Sequence, residues 1–205
     1  MRLASSIVFL MFFSLLFVTV GCGEQKPADT DTTAGLKPAE ASKPTYGGFE
    51  TPEKWGEHLV AISGCNDCHT PKKFGPTGMV PNDSLKLSGH VAAMPVPDID
   101  RKMIQKKQLF TSNDLTVWVG PWGVSYAANL TPDSTGIGSW KEDQFISAIR
   151  QGISKGLPGS RPLLPPMPWP GIAQMTDPEL KAVFAYLKSI PPIKNNVPAP
   201  LPPVK

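Results

Sequence analysis

Three residues that can bind a cofactor stand together at Cys65, Cys68 and His69, in the order Cys-x-x-Cys-His. Two thiols separated by two residues can add to the two vinyl groups of one porphyrin, and the histidine that follows offers an imidazole nitrogen to its iron. The spacing therefore predicts one covalently attached haem c, with Cys65 and Cys68 as attachment residues and His69 as an iron ligand.

Other chemistries of this motif require features that the surrounding sequence does not supply. A redox-active Cys-x-x-Cys requires a βαβ setting, which the neighbouring residues do not predict. A zinc site requires four ligands, which His58 or His90 would have to complete, and the adjacent Cys68 and His69 give poor tetrahedral geometry. A disulfide between the two cysteines is the remaining alternative.

The first 21 residues predict a bacterial lipoprotein signal peptide. Arg2 precedes an apolar run, Ile7 to Val20, that is too short for a mature membrane-spanning helix. The run ends in Thr-Val-Gly before Cys22, which resembles a lipobox with threonine in place of the usual leucine. We expect Cys22 to be the first mature residue and to carry lipid that anchors the protein to a membrane. A plain secretory signal cleaved nearby is the alternative, but it would leave Cys22 as an unpaired exposed thiol.

The rest of the chain divides by composition. Residues 22–49 are rich in Ala, Pro, Thr and charged residues and predict a lipidated, flexible tether. Residues 50–192 suffice for one domain with one core, and residues 193–205 predict a Pro-rich flexible tail. The 24 prolines and 18 glycines among 205 residues favour few helices joined by long irregular loops. The net charge of +3, without a basic cluster, gives no reason to expect nucleic-acid binding.

Three helices are predicted within residues 50–192, each from a capping residue followed by apolar residues at helical spacing. In chain order, the capping residues are Thr51 with Pro52 at the first helical position, Ser139 in a capping box with Glu142, and Thr176 in a capping box with Glu179. We expect the second helix to end near Gly152 and the last near Ile190. Residues 115–119 are interpreted as a short strand. No helix is expected from Pro162 to Pro170, which contains five prolines.

A methionine in this proline-rich loop is a second candidate iron ligand. Thioether sulfur is a soft, neutral donor that favours reduced iron, and Met167 lies in a rigid segment between the haem motif and the last helix. Filling a gap in the core is the alternative role for a methionine. His90 and Met94 are the rival ligands, and His58, on the first helix, is expected to be a surface histidine.

Taken together, the motifs resemble class I cytochrome c, and more closely the single-haem domains of bacterial periplasmic electron-transfer chains, including cytochrome subunits of membrane-associated dehydrogenases. The resemblance covers roughly residues 52–192 and rests on Gly64–Thr70, Asn129–Asp133, Thr135–Trp140, Phe145, Arg150–Gly152, Met167–Pro168 and Ala185–Leu187. It implies a mainly α fold with few helices around one haem, and first and last helices that cross near the haem edge. It also implies that His69 is the proximal ligand and Met167 the distal one.

The expected function is electron transfer rather than enzymatic catalysis. We expect a lipid-anchored monohaem cytochrome on the periplasmic side of a bacterial membrane. It would act as a carrier, or as the electron-accepting subunit of a respiratory chain or dehydrogenase, with other redox proteins as partners. One alternative is a haem enzyme or ligand-binding sensor, such as a peroxidase, with an open distal site at which His90 is the candidate acid or base. The other is a structural haem-bearing module that anchors a separate dehydrogenase.

Overall fold

The computed structural model describes residues 45–96, 98, 100–101 and 108–204, which belong to one compact unit. The predicted signal peptide and most of the predicted tether, including Cys22, lie outside the described residues. Within the described part of the chain, no helix has the length and apolar character needed to span a membrane.

The described residues form five α-helices and two small antiparallel sheets. The helices are α1 (Pro52–Ile62), α2 (Cys65–His69), α3 (Glu142–Gln151), α4 (Trp169–Ile172) and α5 (Asp177–Ser189). One sheet is a hairpin of β1 (Lys72–Gly75) and β2 (Gly78–Pro81), and the other pairs β3 (Phe110–Thr111), β4 (Val117–Gly120) and β5 (Gly123–Tyr126) in that order. Two 3-10 turns, Asp83–Leu85 and Ser154–Gly156, complete the regular structure.

The two sheets make the fold less purely helical than the mainly α fold expected from the sequence. The strand interpreted at residues 115–119 corresponds to β4, which begins at Val117. Val117 and Val119 alternate along β4 and pack with Val124 of β5 in a small apolar cluster apart from the helical core. Alternation over so few residues is a weak signal, so the other strands could not be predicted.

Helices α1 and α5 pack so closely that the backbone of one meets the backbone of the other. A Cβ atom at Gly56 would lie 1.9 Å from the carbonyl oxygen of Ala182, so the position accommodates glycine alone. Leu180 of α5 is fully buried in the core beside this crossing. Since two residues, Ser63 and Gly64, separate α1 from α2, the crossing also fixes the position of the cysteine-bearing helix.

The predicted beginnings of α1 and α5 are confirmed. The Thr51 hydroxyl accepts a hydrogen bond from the backbone N–H of Lys54 at 3.2 Å. Thr176 and Glu179 form the expected capping box, in which both the N–H and the hydroxyl of Thr176 donate to the Glu179 carboxylate. Each cap satisfies backbone donors that have no partner inside the helix.

The predicted capping box of α3 is wrong, whereas its predicted end is right. Ser139 is exposed and belongs to the turn that ends at Trp140, so α3 begins later, at Glu142, with Lys141 in the N-cap position. No side chain of the described residues caps this helix. Its end at Gly152 is confirmed, with a left-handed φ of 61° that favours glycine.

The proline-rich segment contains the beginning of a helix that was not expected. Helix α4 begins at Trp169, with Pro168 in the N-cap position and Pro170 in the first turn. A proline in the first turn removes no intrahelical hydrogen bond, because the first N–H groups of a helix have no partner within it. The expectation of no helix therefore fails for the last two residues of the segment.

The carboxyl-terminal segment, expected to be flexible from residue 193, packs along the domain. Asn195 Nδ2 donates to the carbonyl oxygens of Ser88 at 2.7 Å and His90 at 2.8 Å. Leu201 pairs with Val124 through two backbone hydrogen bonds. These residues were expected to form a flexible tail. Their side-chain and backbone polar groups instead form hydrogen bonds with the domain.

The described end of the predicted tether also contacts the domain. Tyr46 and Phe49 form a small turn, and the Phe49 ring lies 5.0 Å from that of His58 on α1. These contacts lie just before residue 50, at which the folded domain is predicted to begin. The ring contact is the described interaction of His58, in line with its expected role away from the iron.

Candidate functional site

Helix α2 carries both cysteines and the histidine of the haem motif. Gly64, in its N-cap position with a φ of 68°, allows the chain to turn sharply out of α1. Residues three positions apart lie on the same side of a helix, so the thiols of Cys65 and Cys68 face the same way. Both are free, partly exposed thiols. This arrangement suits attachment to two groups on the edge of one flat molecule.

The acidity of the two thiols argues against the other chemistries of the motif. Burial raises the pKa of Cys65 to about 11 and also raises the pKa of Cys68. Redox-active dithiols have a lowered pKa, because the thiolate is the reacting form. Among the described residues, no group of three or more His, Cys, Asp or Glu side chains is placed to hold a metal ion.

His69 is buried and held in one orientation. Its Nδ1 lies 2.8 Å from the carbonyl oxygen of Ala128. Because a carbonyl oxygen accepts hydrogen bonds, Nδ1 carries the hydrogen and Nε2 keeps its lone pair. Burial lowers the pKa of His69, while the hydrogen bond to Ala128 opposes that shift. A neutral imidazole with an anchored Nδ1 and a free Nε2 is the form in which histidine binds metals.

The end of α2 is locked to a later segment of the chain. The Thr70 hydroxyl donates to the Asn66 side-chain oxygen and accepts from the N–H of Leu87, both at 3.0 Å. The N–H of Gly89 donates to the carbonyl oxygen of His69 at 2.8 Å. The orientation of His69 thus depends on residues 87–89 as well as on α2.

The carbonyl group of Ala128 is placed by the turn that follows it. Asn129 Oδ1 accepts hydrogen bonds from the N–H and the hydroxyl of Thr131, at 2.9 and 2.8 Å. Asp133 Oδ1 does the same for Thr135, at 2.8 and 2.6 Å, and these bonds lower the pKa of Asp133. The polar side chains of this segment therefore stabilise its turns.

Met167 lies on the loop before α4 and borders the same helical core as Cys65. Its N–H donates to the carbonyl oxygen of Leu164 at 3.3 Å. The hydroxyl of Ser125, on β5, donates to the carbonyl oxygen of Pro165 at 2.6 Å and holds the loop against the sheet. The side chains of Met167 and Cys65 thus both pack against the helical core.

The two rival ligands have very different environments. Met94 is exposed in a turn closed by its N–H and the carbonyl oxygen of Val91, at 2.8 Å. His90 is 1% exposed, and its Nδ1 lies 2.9 Å from the hydroxyl oxygen of Thr116. Its Nε2 is buried without a hydrogen-bond partner among the described residues. Burial therefore makes His90, not Met94, the more serious rival of Met167.

Three residues of this region carried no usable sequence signal. Ala128 acts through its carbonyl oxygen, which every residue type possesses. The Thr116 hydroxyl donates to Asp114 Oδ2 at 2.9 Å and links that carboxylate to His90. The Ser-Asn-Asp run that ends at Asp114 marks a turn, but the spacing does not reveal that His90, far earlier in the chain, comes to lie beside Thr116.

The residues present fit a covalently attached haem. Cys65 and Cys68 offer two thiols on one side of a helix, and His69 offers a nitrogen whose ring is already oriented. Met167 offers a sulfur from a loop that borders the same helical core. These are the donor types that bind the iron and the vinyl groups of haem c.

The chain is similar to parts of several bacterial dehydrogenase subunits. Over 80 residues, 38% of the chain, it is 39% identical to a nicotinate dehydrogenase subunit of Pseudomonas putida, of which the match covers 6%. Over 67 residues, 32% of the chain, it is 42% identical to the gluconate 2-dehydrogenase cytochrome c subunit of Pantoea cypripedii. Over the same length it is 43% identical to the cytochrome c subunit of alcohol dehydrogenase (quinone) from Gluconacetobacter polyoxogenes.

These similarities are local. The match covers 14% of the gluconate and alcohol dehydrogenase subunits and less of the nicotinate dehydrogenase one, so the chain spans a small part of each relative. No model of a known protein family matches the chain. Over about a third of its length, the chain is similar to cytochrome c subunits of bacterial dehydrogenases, which confirms the resemblance first recognised in its motifs.

Proposed function

We propose that this protein transfers electrons through one haem c, attached to Cys65 and Cys68 and coordinated by His69 and Met167. The observation that carries the proposal is the pairing of two thiols on one side of α2 with a neighbouring imidazole. The Nδ1 of that imidazole is fixed by Ala128, and its Nε2 is free. The bound haem supplies an iron that cycles between the ferrous and ferric states. The similarity to cytochrome c subunits supports this role.

The two axial ligands have opposite effects on the iron. The hydrogen bond from His69 to Ala128 orients the imidazole and makes it a better electron donor. The thioether of Met167 favours ferrous iron and raises the reduction potential. With His69 and Met167 both bound to the iron, no position would be open to a substrate, so the protein would serve as an electron carrier or electron-accepting subunit rather than as a catalyst.

The fold that accompanies this function is that of class I cytochrome c. The close crossing of α1 and α5 at Gly56, the haem motif on α2 and the Met167 loop before the last helix support this assignment. The strands β1 to β5 all lie in the sequence between α2 and α3. We therefore regard them as an elaboration of the connection between the haem motif and the turn at Asn129.

Anchoring and partners form the second part of the proposal. A lipid on Cys22 would hold the domain on the periplasmic side of a bacterial membrane, with the tether predicted at residues 22–49 between them. The apolar run before Cys22 and the lipobox-like ending support this location. The relatives are named as subunits of dehydrogenases, which favours a dehydrogenase or another redox protein as the electron donor.

The attachment is tested by denaturation. One haem per chain should stay with the polypeptide after denaturing electrophoresis and after extraction with acidified acetone. Cys65→Ala and Cys68→Ala should each impair attachment, whereas Cys22→Ser removes a thiol of the same chain and should leave haem content unchanged. Complete extraction of haem from the unaltered protein would overturn the proposal.

The anchor is tested by fractionation. The unaltered protein should sediment with membranes and enter the detergent phase, and Cys22→Ser should release a haem-loaded soluble form. Unaltered protein recovered entirely in the soluble periplasmic fraction would contradict lipidation while leaving the electron-transfer role in place.

A further inference from the structure

His90 combines deep burial with an atom that the polypeptide does not satisfy. The residue is 1% exposed, and among the described residues its Nε2 is the buried side-chain nitrogen or oxygen without a hydrogen-bond partner. Buried polar atoms are rarely left in this state, because the lost hydrogen bond to water costs about 1–3 kcal/mol. The residues that the structure describes supply no partner for this atom.

The other nitrogen of His90 is held by a short chain of hydrogen bonds. Thr116 Oγ1 lies 2.9 Å from His90 Nδ1 and 2.9 Å from Asp114 Oδ2. The carboxylate accepts from the hydroxyl, so the hydroxyl oxygen accepts from Nδ1–H of the ring. This chain fixes the ring and directs the lone pair of Nε2 to the missing partner, with a buried carboxylate two hydrogen bonds away.

The neighbouring backbone connects the two sides of the proposed haem site. At one end, Ser125 donates to the carbonyl oxygen of Pro165, two residues before Met167. At the other end, Ala128 accepts from His69. If His69 and Met167 hold the haem, the segment 125–128 would pass beside it, because its two ends contact His69 and the loop of Met167.

His90 lies beside this segment. Its N–H donates to the carbonyl oxygen of Ala127 at 2.9 Å, and its ring lies 5.1 Å from that of Tyr126. The vinyl groups of haem are taken by Cys65 and Cys68 on α2. The remaining polar groups on the periphery of the porphyrin are its two carboxylates. A haem beside His90 would therefore offer Nε2 a carboxylate as its partner.

We propose that His90 Nε2 holds a carboxylate of the haem and shares one proton with it. The inference rests on the proposed function, because it requires the haem to be present. The proton comes from water when the haem binds, since neither the Nε2 lone pair nor an ionised carboxylate carries one. The pair formed by the imidazole, the proton and the carboxylate has no net charge, which suits a buried site.

The charged and titratable groups around His90 favour this sharing. Asp114 acts on His90 through Thr116 and opposes the lowering of the pKa of His90 that burial causes. Lys72 donates to the backbone oxygen of Asp114 at 2.8 Å, and Tyr126 presents its ring. Asn195, from the carboxyl-terminal segment, is uncharged. Deprotonation of the shared site would place a negative charge beside the iron and favour the ferric state.

The test follows the midpoint potential of the haem-loaded protein over about pH 5–8, the range in which histidine titrates. In the unaltered protein the potential should fall as the pH rises. His90→Gln keeps an N–H donor for the carboxylate but cannot titrate, so its potential should be independent of pH over this range. His58→Gln changes the other histidine that is not proposed to bind iron, and it should behave like the unaltered protein.

A second variant keeps the proposal testable if His90→Gln folds poorly. Asp114→Asn removes the carboxylate that favours the protonated imidazole, so the fall in potential should move to lower pH. Resonance Raman spectra provide an independent readout. The bending mode of the haem carboxylates should shift in His90→Gln and stay unchanged in His58→Gln.

Several outcomes would overturn the proposal. One is a His90→Gln variant whose midpoint potential depends on pH as in the unaltered protein and whose haem carboxylate bending mode is unchanged. Another is a loss of the low-spin spectrum in that variant, which would make His90 an iron ligand. A potential independent of pH in the unaltered protein would count equally against it. Absence of covalent haem from the unaltered protein is a different result, because it overturns the proposed function itself.

Discussion

His69 Nδ1 lies 2.8 Å from the carbonyl oxygen of Ala128, a residue 59 positions further along the chain. This bond joins the short helix α2 to the turn that begins at Asn129. The proposed iron ligand is therefore oriented by a backbone atom, and that atom is placed by the side chain of the next residue. A substitution at Asn129 should therefore alter the hydrogen bond that orients His69, although the two side chains are not bonded to each other.

Asn129→Ala is expected to destabilise the protein and alter the iron. The change removes the acceptor for Thr131 and the donor to the carbonyl oxygen of Ile193. The buried N–H of Thr131 loses its partner and the partly buried carbonyl oxygen of Ile193 loses one of two donors, so the free energy of unfolding should fall by about 2 kcal/mol. A weaker hydrogen bond at Ala128 should make the imidazole of His69 a poorer donor and raise the midpoint potential.

Urea denaturation and redox titration check this prediction. Asn113→Ala is the matched control, because Asn113 is exposed and makes no hydrogen bond within the described residues. It should unfold and titrate like the unaltered protein. An Asn129→Ala variant with unaltered stability would show that the turn holds Ala128 without its side chain.

Gly56→Ala should disrupt the contact between α1 and α5. The added Cβ would lie 1.9 Å from the carbonyl oxygen of Ala182, and backbone atoms cannot move aside as a side chain does. We expect a loss of about 3 kcal/mol in the free energy of unfolding, the upper end of the usual cost of overpacking. Thermal unfolding followed by circular dichroism measures it.

Gly171→Ala is the control for the same chemical change. A Cβ at Gly171 would meet no atom of the described residues within 4 Å, and the residue lies in helix α4. Its melting temperature should be unchanged or slightly raised, because alanine favours helix more than glycine does. Equal losses in the two variants would refute the explanation from helix crossing.

Asn195→Ala tests whether the carboxyl-terminal segment stabilises the domain. The amide of Asn195 bridges the carbonyl oxygens of Ser88 and His90. We expect a loss of about 2 kcal/mol in the free energy of unfolding, because two acceptors lose a shared donor. Asn196→Ala, at the exposed neighbouring position, should have little effect. Identical melting temperatures for both variants would show that the contacts of Asn195 do not stabilise the domain.

The parts of the structure that could be predicted are those with local causes. The Cys65–His69 motif needs two thiols and an imidazole at fixed spacing, and the caps at Thr51 and Thr176 depend on neighbours within a few residues. Such features can be read without knowing the fold.

The parts that could not be predicted depend on distant partners. Asn195 bonds to residues more than a hundred positions away, and the Thr116 hydroxyl matters because His90 comes to lie beside it. A single polar residue in a Pro-rich segment carries no sign of such a partner. Of the sheet formed by β3 to β5, the sequence predicted β4 alone, because the strands are short and pack mainly on one another.

Met167→Ala is the variant that separates a carrier from a haem enzyme. If Met167 is the distal ligand, the oxidised unaltered protein should show the weak far-red absorption of iron bound to a thioether, and Met167→Ala should lose it. The ferrous variant should bind carbon monoxide rapidly, whereas the unaltered protein should bind it slowly or not at all. Met167→His should restore six ligands and lower the potential by on the order of 0.2 V, within the roughly 0.8 V range that axial ligands span.

The internal control for this series is Met94→Ala. Met94 is exposed, so its removal should leave both the far-red band and the carbon monoxide kinetics unchanged. A band that survives Met167→Ala and disappears in Met94→Ala would reassign the ligand without affecting the carrier role. An unaltered protein that lacks the band and binds carbon monoxide at once would have an open distal position. Electron transfer would then give way to a haem enzyme or sensor, since an iron with five protein and porphyrin ligands can bind a substrate or a gas.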